Sequence, residues 1–267
     1  MIHVERGDGP VLLAQPHAGT ALADDIAARL NEHGRALADT DWHVDRLYDG
    51  LLEDATVVRT PTHRYVIDVN RAPDDESMYP GMNTTGLCPL TDFDGRPIYR
   101  EGLEPDAAEI EARRRAHHAP YHETLAAEIR RIHDRHGVVV LFDCHSIRSH
   151  IPYLFDGTLP VFNIGTNNGQ SCAREIERLT ARVCSETPQY DTIVNGRFKG
   201  GWTTRHYGNP DNGVHAIQME LAQRAYMDES PPWTYRPELA EPVRAILQTL
   251  LNELRAWALS GYLRQET

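Results

Sequence analysis

Two histidines stand where a short apolar run gives way to a loop of small residues. Val11-Leu-Leu-Ala14 leads into Gln15-Pro16-His17-Ala18-Gly19, and Val138-Val-Val-Leu-Phe142 leads into Asp143-Cys144-His145-Ser146. A neutral imidazole at a strand end is a common ligand for a divalent metal. A hydrolytic metal site takes three protein ligands and keeps one position for water. A carboxylate can be the third, and the segment Asp39-Thr-Asp-Trp-His-Val-Asp45 offers Asp41 and Asp45. If that segment is helical, both face the same side, so spacing does not choose between them. The bland alternative makes His17 a loop residue and His145 a satisfied core histidine.

Glu220 is the candidate general base. Val214 to Leu221 alternates as a strand, with Ile217, Met219 and Leu221 on one face and Ala216, Gln218 and Glu220 on the other. A glutamate in such a strand is costly unless paired or used. Beside an activated water it can take a proton and pass it to a leaving nitrogen. The competing reading is an ion pair with Arg224. Positive charge gathers in the loops: Asn70-Arg71 follows residues 64–69, Arg148 comes three residues after His145, and Arg205 lies in Thr203-Thr-Arg-His206. A planar guanidinium matches a carboxylate through two parallel hydrogen bonds.

Other chemistries find less support. The sequence has no GxSxG, no P-loop, no GxGxxG after a strand and no HExxH. Cys144 adjoins His145, but neighbours on a strand point to opposite sides, so the two do not form a nucleophile–base pair. His117, His118, His122, His133 and His136 fall in a charged helical region and read as solvated. His33, His63 and His150 carry no signal.

The chain carries 39 acidic and 27 basic side chains, a formal charge of −12. That balance repels nucleic acid and anionic membrane surfaces, leaving a small molecule as the expected partner. If the substrate is an anion, the site must supply local positive charge, which the arginine loops offer. Hydrophobic residues make up 40% and charged residues 25% of 267 positions, enough for one sizeable domain over 1–267. The four cysteines form no CxxC pair, so neither a zinc knot nor a disulfide framework is indicated. MIHVERGDGP lacks the apolar core of a signal peptide, and no apolar run is long enough for a bilayer, so a cytoplasmic enzyme is expected.

The elements that must position these residues alternate. Strands are expected at 11–14, 55–60, 64–69, 138–142 and 214–221. Helices are expected over Thr20–His33, over Pro105–His136 with a break near Pro120, over 171–185 and over about Glu238–Leu259. Residues 71–103 and 195–213 are rich in Gly, Pro, Asn and Asp and read as long functional loops. The pattern predicts an α/β fold with a mixed, mainly parallel sheet flanked by helices, its site beyond the carboxyl ends of the strands.

Taken together, these motifs resemble the N-formylglutamate amidohydrolase (N-formylglutamate deformylase) family of histidine catabolism. The resemblance rests on Pro16-His-Ala-Gly19, Asp39-Thr-Asp-Trp42 with Arg46-Leu-Tyr48, Val69-Asn-Arg71, Thr84-Thr-Gly-Leu87, Phe142-Asp-Cys-His-Ser-Ile-Arg148, Asn195-Gly-Arg-Phe-Lys-Gly-Gly201, Thr204-Arg-His-Tyr-Gly-Asn-Pro210, and Gln218-Met-Glu-Leu221 with Tyr226-Met-Asp228. It implies a fold similar to zinc carboxypeptidases and aspartoacylases, with one divalent metal, expected to be zinc, held by two histidines and a carboxylate. Those relatives place the carboxylate three residues after the first histidine, where this chain has Thr20. The family pattern keeps an acidic residue before the aromatic at Trp42, which selects Asp41 and gives a ligand set of His17, Asp41 and His145. By order in the chain Glu220 matches the base, and Asn70, Arg71, Arg148 and Arg205 match carboxylate-binding positions. The implied reaction is hydrolysis of N-formyl-L-glutamate to formate and L-glutamate. The alternatives are a hydrolase of another N-acyl acidic amino acid, a peptidase with an open cleft, and a metal-dependent dicarboxylate-binding protein without turnover.

Overall fold

A computed structural model describes residues 1–76 and 81–261. Residues 77–80, inside the expected loop 71–103, lie outside the described residues. Seven strands build one sheet: β1 His3–Glu5, β2 Val11–Gln15, β3 Thr56–Arg59, β4 Val139–Ile147, β5 Phe162–Gly165, β6 Thr192–Val194 and β7 Val214–Ala222. Their order is β1-β3-β2-β4-β7-β5-β6. The central run β3-β2-β4-β7 is parallel. β1 and β5 join it antiparallel, and β6 lies parallel to β5. The expected mixed, mainly parallel sheet is therefore present. No helix among the described residues is long and apolar enough to cross a membrane.

The helices are α1 Asp24–Arg29, α2 Glu32–Arg35, α3 Val44–Tyr48, α4 Ala107–Arg113, α5 Ala119–His136, α6 Arg174–Ser185, α7 Trp202–Tyr207 and α8 Pro237–Leu259. The strand period of two divides the core between the faces of the sheet. Leu13, Phe142, Cys144, Ile217, Met219 and Leu221 pack with α3, α6 and α8. Leu12, Ala14, Leu141 and Ala216 pack with Tyr121, Leu125, Ile129 and Ile132 of α5. Cys144 is thus a core side chain of the face opposite His145, and burial holds its thiol well above the usual range. That removes it as a nucleophile.

Four local expectations are corrected. The helix over Thr20–His33 is two short helices, because Leu30 bridges to Tyr99 and Asn31 caps the second through Gly34 N, 3.0 Å from its Oδ1. Gly34 lies inside the second of these, where a Cβ would sit 2.3 Å from Ile98 O. The helix expected over 105–136 starts at Ala107, behind the cap Asp106, and runs unbroken to His136, opening into a π turn at Arg114–His118, just before Pro120. Proline has no N–H and its ring crowds the preceding turn, and the wider turn takes up both effects.

Residues 64–69 are no strand. They form a buried turn, fastened by Arg64 to Asp68 at 2.6 Å and by Asp68 N to Leu87 O at 2.7 Å. Finally, His118 and His122 are buried rather than solvated. Their Nε2 atoms donate to Arg71 O and Val69 O at 3.0 and 2.7 Å, and their rings pack around Trp202.

Candidate active site

The carboxyl ends of three parallel strands bring the chemistry together. His17 follows β2 by two residues, while His145 and Glu220 sit two residues inside the ends of β4 and β7. β4 runs further than its apolar stretch suggests, to Ile147. In the parallel ladder His145 stands directly opposite Glu220, so both point to the same face. Asp41 lies in the turn before α3, and its N–H donates to His17 O at 3.1 Å. That bond ties two of the three candidate ligand segments to each other.

His17 Nδ1 and His145 Nδ1 are 3.2 Å apart, and Asp41 Oδ2 is 3.1 Å from the second and 3.7 Å from the first. All three residues are buried. Three ligands at zinc-like bond lengths of about 2.0–2.1 Å in a tetrahedral shell would stand about 3.3 Å apart. The triangle fits that shell, and its two imidazoles and one carboxylate suit a divalent transition ion. Asp41 Oδ1, turned away from the triangle, accepts no hydrogen bond and is balanced by the Arg64 guanidinium 3.5 Å away. Asp45 takes no part. The segment is not a continuous helix, and Asp45 lies on the exposed side of α3, 3.9 Å from Arg59.

The outer nitrogens of both histidines face carboxylates. His17 Nε2 is 2.7 Å from Asp68 Oδ1. His145 Nε2 is 3.1 Å from Asp143 Oδ1, without the alignment of a hydrogen bond, and 3.1 Å from Asn70 Nδ2. Asp68 in turn holds Arg64 at 2.6 Å. Burial alone would raise the carboxyl of Asp68, but Arg64, His17 and Arg71 hold it well below the usual range. Burial likewise opposes ionisation of Asp41, and the two histidines overcome it. Such carboxylates orient the rings and raise their basicity as ligands.

Glu220 is buried, and its Oε2 accepts from Gln218 Nε2 at 2.9 Å. Burial pushes its carboxyl up to about 7, with His145 pulling it down and Asp41 pushing it up. The competing ion pair does not form: Arg224 reaches Asp191 at 3.3 Å and Leu159 O at 2.8 Å.

These groups open on a cleft whose lining includes His17, His145, Glu220, Asn70 and Arg71. The same lining includes the apolar Phe93, Ile147, Leu154 and Phe198 and the polar Asn83, Thr84 and Thr85. Arg148 and Arg205 are not among the described residues that line it. Arg148 reaches Asp94 at 3.1 Å and lies 3.8 Å from Asp39, and Arg205 Nε donates to Gly200 O at 2.8 Å. Two other guanidiniums do line the cleft, Arg64 and Arg197. Arg197 belongs to the motif Asn195–Gly201, and Arg64 stands four residues before Asp68. Asp143 was readable too: it precedes His145 by two, on the same strand face.

The model of the N-formylglutamate amidohydrolase family matches residues 9–227. The chain is 48% identical over 263 residues to the N-formylglutamate deformylase of Pseudomonas aeruginosa, covering 98% of each. It is 46% identical over 265 residues to that of Pseudomonas putida, covering 99% of each. Its fold is similar to the crystal structure of N-formylglutamate amidohydrolase from Ralstonia eutropha JMP134, with a TM-score of 0.82 at 23% identity over 97% of this chain and 99% of that one. With that match over most of its length, this chain belongs to the N-formylglutamate amidohydrolase family.

Proposed function

We propose that this protein hydrolyses N-formyl-L-glutamate to formate and L-glutamate, using a divalent metal held by His17, Asp41 and His145. The observation that carries the reading is the buried triangle of those three side chains beside Glu220, in a chain nearly half identical to two deformylases. A divalent ion there supplies a Lewis acid for the formyl oxygen and lowers the pKa of water.

The protein's own groups do the rest. Glu220 takes a proton from the attacking water and delivers it to the amide nitrogen as the C–N bond breaks. A carboxyl pushed up to about 7 by burial is suited to both halves of that transfer near neutrality. Arg71 and Arg197 line the cleft and present guanidinium groups to the two carboxylates of the substrate. Asn70 braces the site, since its Oδ1 accepts from Thr203 N at 2.9 Å while its amide nitrogen faces His145. Held at both ends, the substrate places its formyl carbon at the triangle, which converts binding energy into orientation.

The test is release of formate and glutamate by metal-loaded protein from a panel containing N-formyl-L-glutamate, N-acetyl-L-glutamate and N-formyl-L-alanine. N-Formyl-L-glutamate should have the highest kcat/KM. A preference for the acetyl compound would move the assignment to another acyl group, and tight binding without turnover of any member would make the protein a receptor.

A further inference from the structure

The amide of Gln218 sits between the candidate base and the loop that walls the cleft. Its Oε1 accepts from the backbone N–H of Gly201 at 2.6 Å, and its Nε2 donates to Glu220 Oε2 at 2.9 Å. A backbone N–H can only donate, so the first contact fixes which end of the amide is oxygen. The second contact must then be an N–H given to the glutamate. The side chain has no freedom to exchange these roles. Its backbone is held on both sides, opposite Asp143 of β4 and Gly165 of β5, and the residue is 4% exposed.

Glu220 needs one oxygen turned toward the attacking water. Gln218 occupies Oε2, which leaves Oε1 as the oxygen that takes and returns the proton. At the other end, Gly201 closes the segment that brings Arg197 and Phe198 to the cleft. Gly201 also abuts the site, because a Cβ there would sit 2.3 Å from Asn70 Nδ2. Any side chain at 201 would push this backbone away from Asn70, and with it the N–H that Gln218 accepts.

We infer that Gln218 is a positioning residue, which sets the orientation of the Glu220 carboxylate and ties it to the substrate-facing loop 195–201. The inference rests on the reading of Glu220 as the base. A purely structural Gln218 would satisfy the buried Gly201 N–H and nothing more. It would then affect how much protein folds, not how each folded molecule turns over.

A double-mutant cycle on metal-loaded protein separates these roles, with Gln218→Met and Glu220→Gln made singly and together. Metal content and melting temperature are measured on the same preparations, and kcat is counted per bound metal. Gln218→Met should retain the metal, keep KM within about threefold, and lose roughly ten- to a hundredfold in kcat, the scale of a reacting group misplaced by about 1 Å. In the Glu220→Gln background the same change should cost almost nothing further, since the group it orients is gone.

Losses that multiply, or a normal kcat per metal in Gln218→Met, would overturn the inference while leaving Glu220 as the base. Normal kcat in Glu220→Gln would instead sink the base reading itself. If Gln218→Met does not fold, Gln218→Asn runs the same cycle, because it keeps the amide but withdraws it by one methylene from both partners.

Discussion

The Asp68 carboxylate meets the outer nitrogen of His17 at 2.7 Å, on the far side of the ring from Asp41 and His145. It fixes the ring so that Nδ1 points into the triangle. Asp68→Asn should therefore bind metal roughly ten- to a hundredfold more weakly while leaving the three ligands in place. Titration with zinc against a competing chelator measures this. Unchanged affinity would mean that His17 is oriented by its loop alone.

Removing the three proposed ligands themselves should be more severe. His17→Ala and His145→Ala should lose nearly all bound metal, and Asp41→Asn most of it, whereas Asp45→Asn should bind normally. Metal analysis after dialysis decides. An ion that binds the folded chain and not the unfolded one also raises the melting temperature with its free concentration, and chelation should reverse that rise.

Glu220→Gln should remain folded and metal-loaded and lose about 10²- to 10⁴-fold in kcat with little change in KM. Measured on one preparation, metal content and kcat separate loss of the base from loss of the site.

Arg71→Lys and Arg197→Lys keep charge but lose the paired donors of the guanidinium. Each should raise KM for N-formyl-L-glutamate at least tenfold. Arg148→Lys and Arg205→Lys change residues away from the cleft lining, and KM in these should stay within about threefold. Steady-state kinetics of the four variants would expose a misplaced cleft by reversing that order.

Acid sensitivity should come partly from two buried neutral histidines outside the triangle. His122 is held down to about 3 and His215 to about 4, in both cases chiefly by burial. His215 Nδ1 accepts from Ala173 N, so a second proton there would meet an N–H, while His122 donates to Val69 O and faces Tyr207 Oη from a buried ring. Both folded values lie below the unfolded value near 6.5. The stability from their neutrality is full above pH 6.5 and drains as pH falls toward 4 and 3. Each ring adds a slope of up to about 1.4 kcal/mol per pH unit. Urea unfolding of chelated protein should show this, and His215→Asn, which keeps an acceptor but cannot be protonated, should flatten the slope. An identical slope in that variant would discount His215.

The central strands and the two histidines were legible because a buried parallel strand is an unbroken apolar run, and its end is where polar chemistry resumes. Asp41 needed the family pattern, since spacing leaves Asp45 as a rival and only the turn before α3 separates them. The short strands β1, β5 and β6 have too few residues to show a period. Arg64, Asp68 and Gln218 escaped because their roles are set by partners distant in sequence: Asp68 meets His17 across 51 positions. The same distance in sequence governs where Arg148 and Arg205 point. Their motifs are site motifs, yet their side chains turn to Asp94 and to Gly200.

The order of the sheet also governs how the protein can be made. β7 is the last strand among the described residues, yet it lies between β4 and β5. A nascent chain that has not reached Val214 already contains His17, Asp41 and His145, but β4 has an open edge and β5 lacks its antiparallel neighbour. An unpaired edge of this kind invites pairing with other chains. Until Val214–Ala222 has been made, His145 lacks the neighbouring strand that sets Glu220 opposite it.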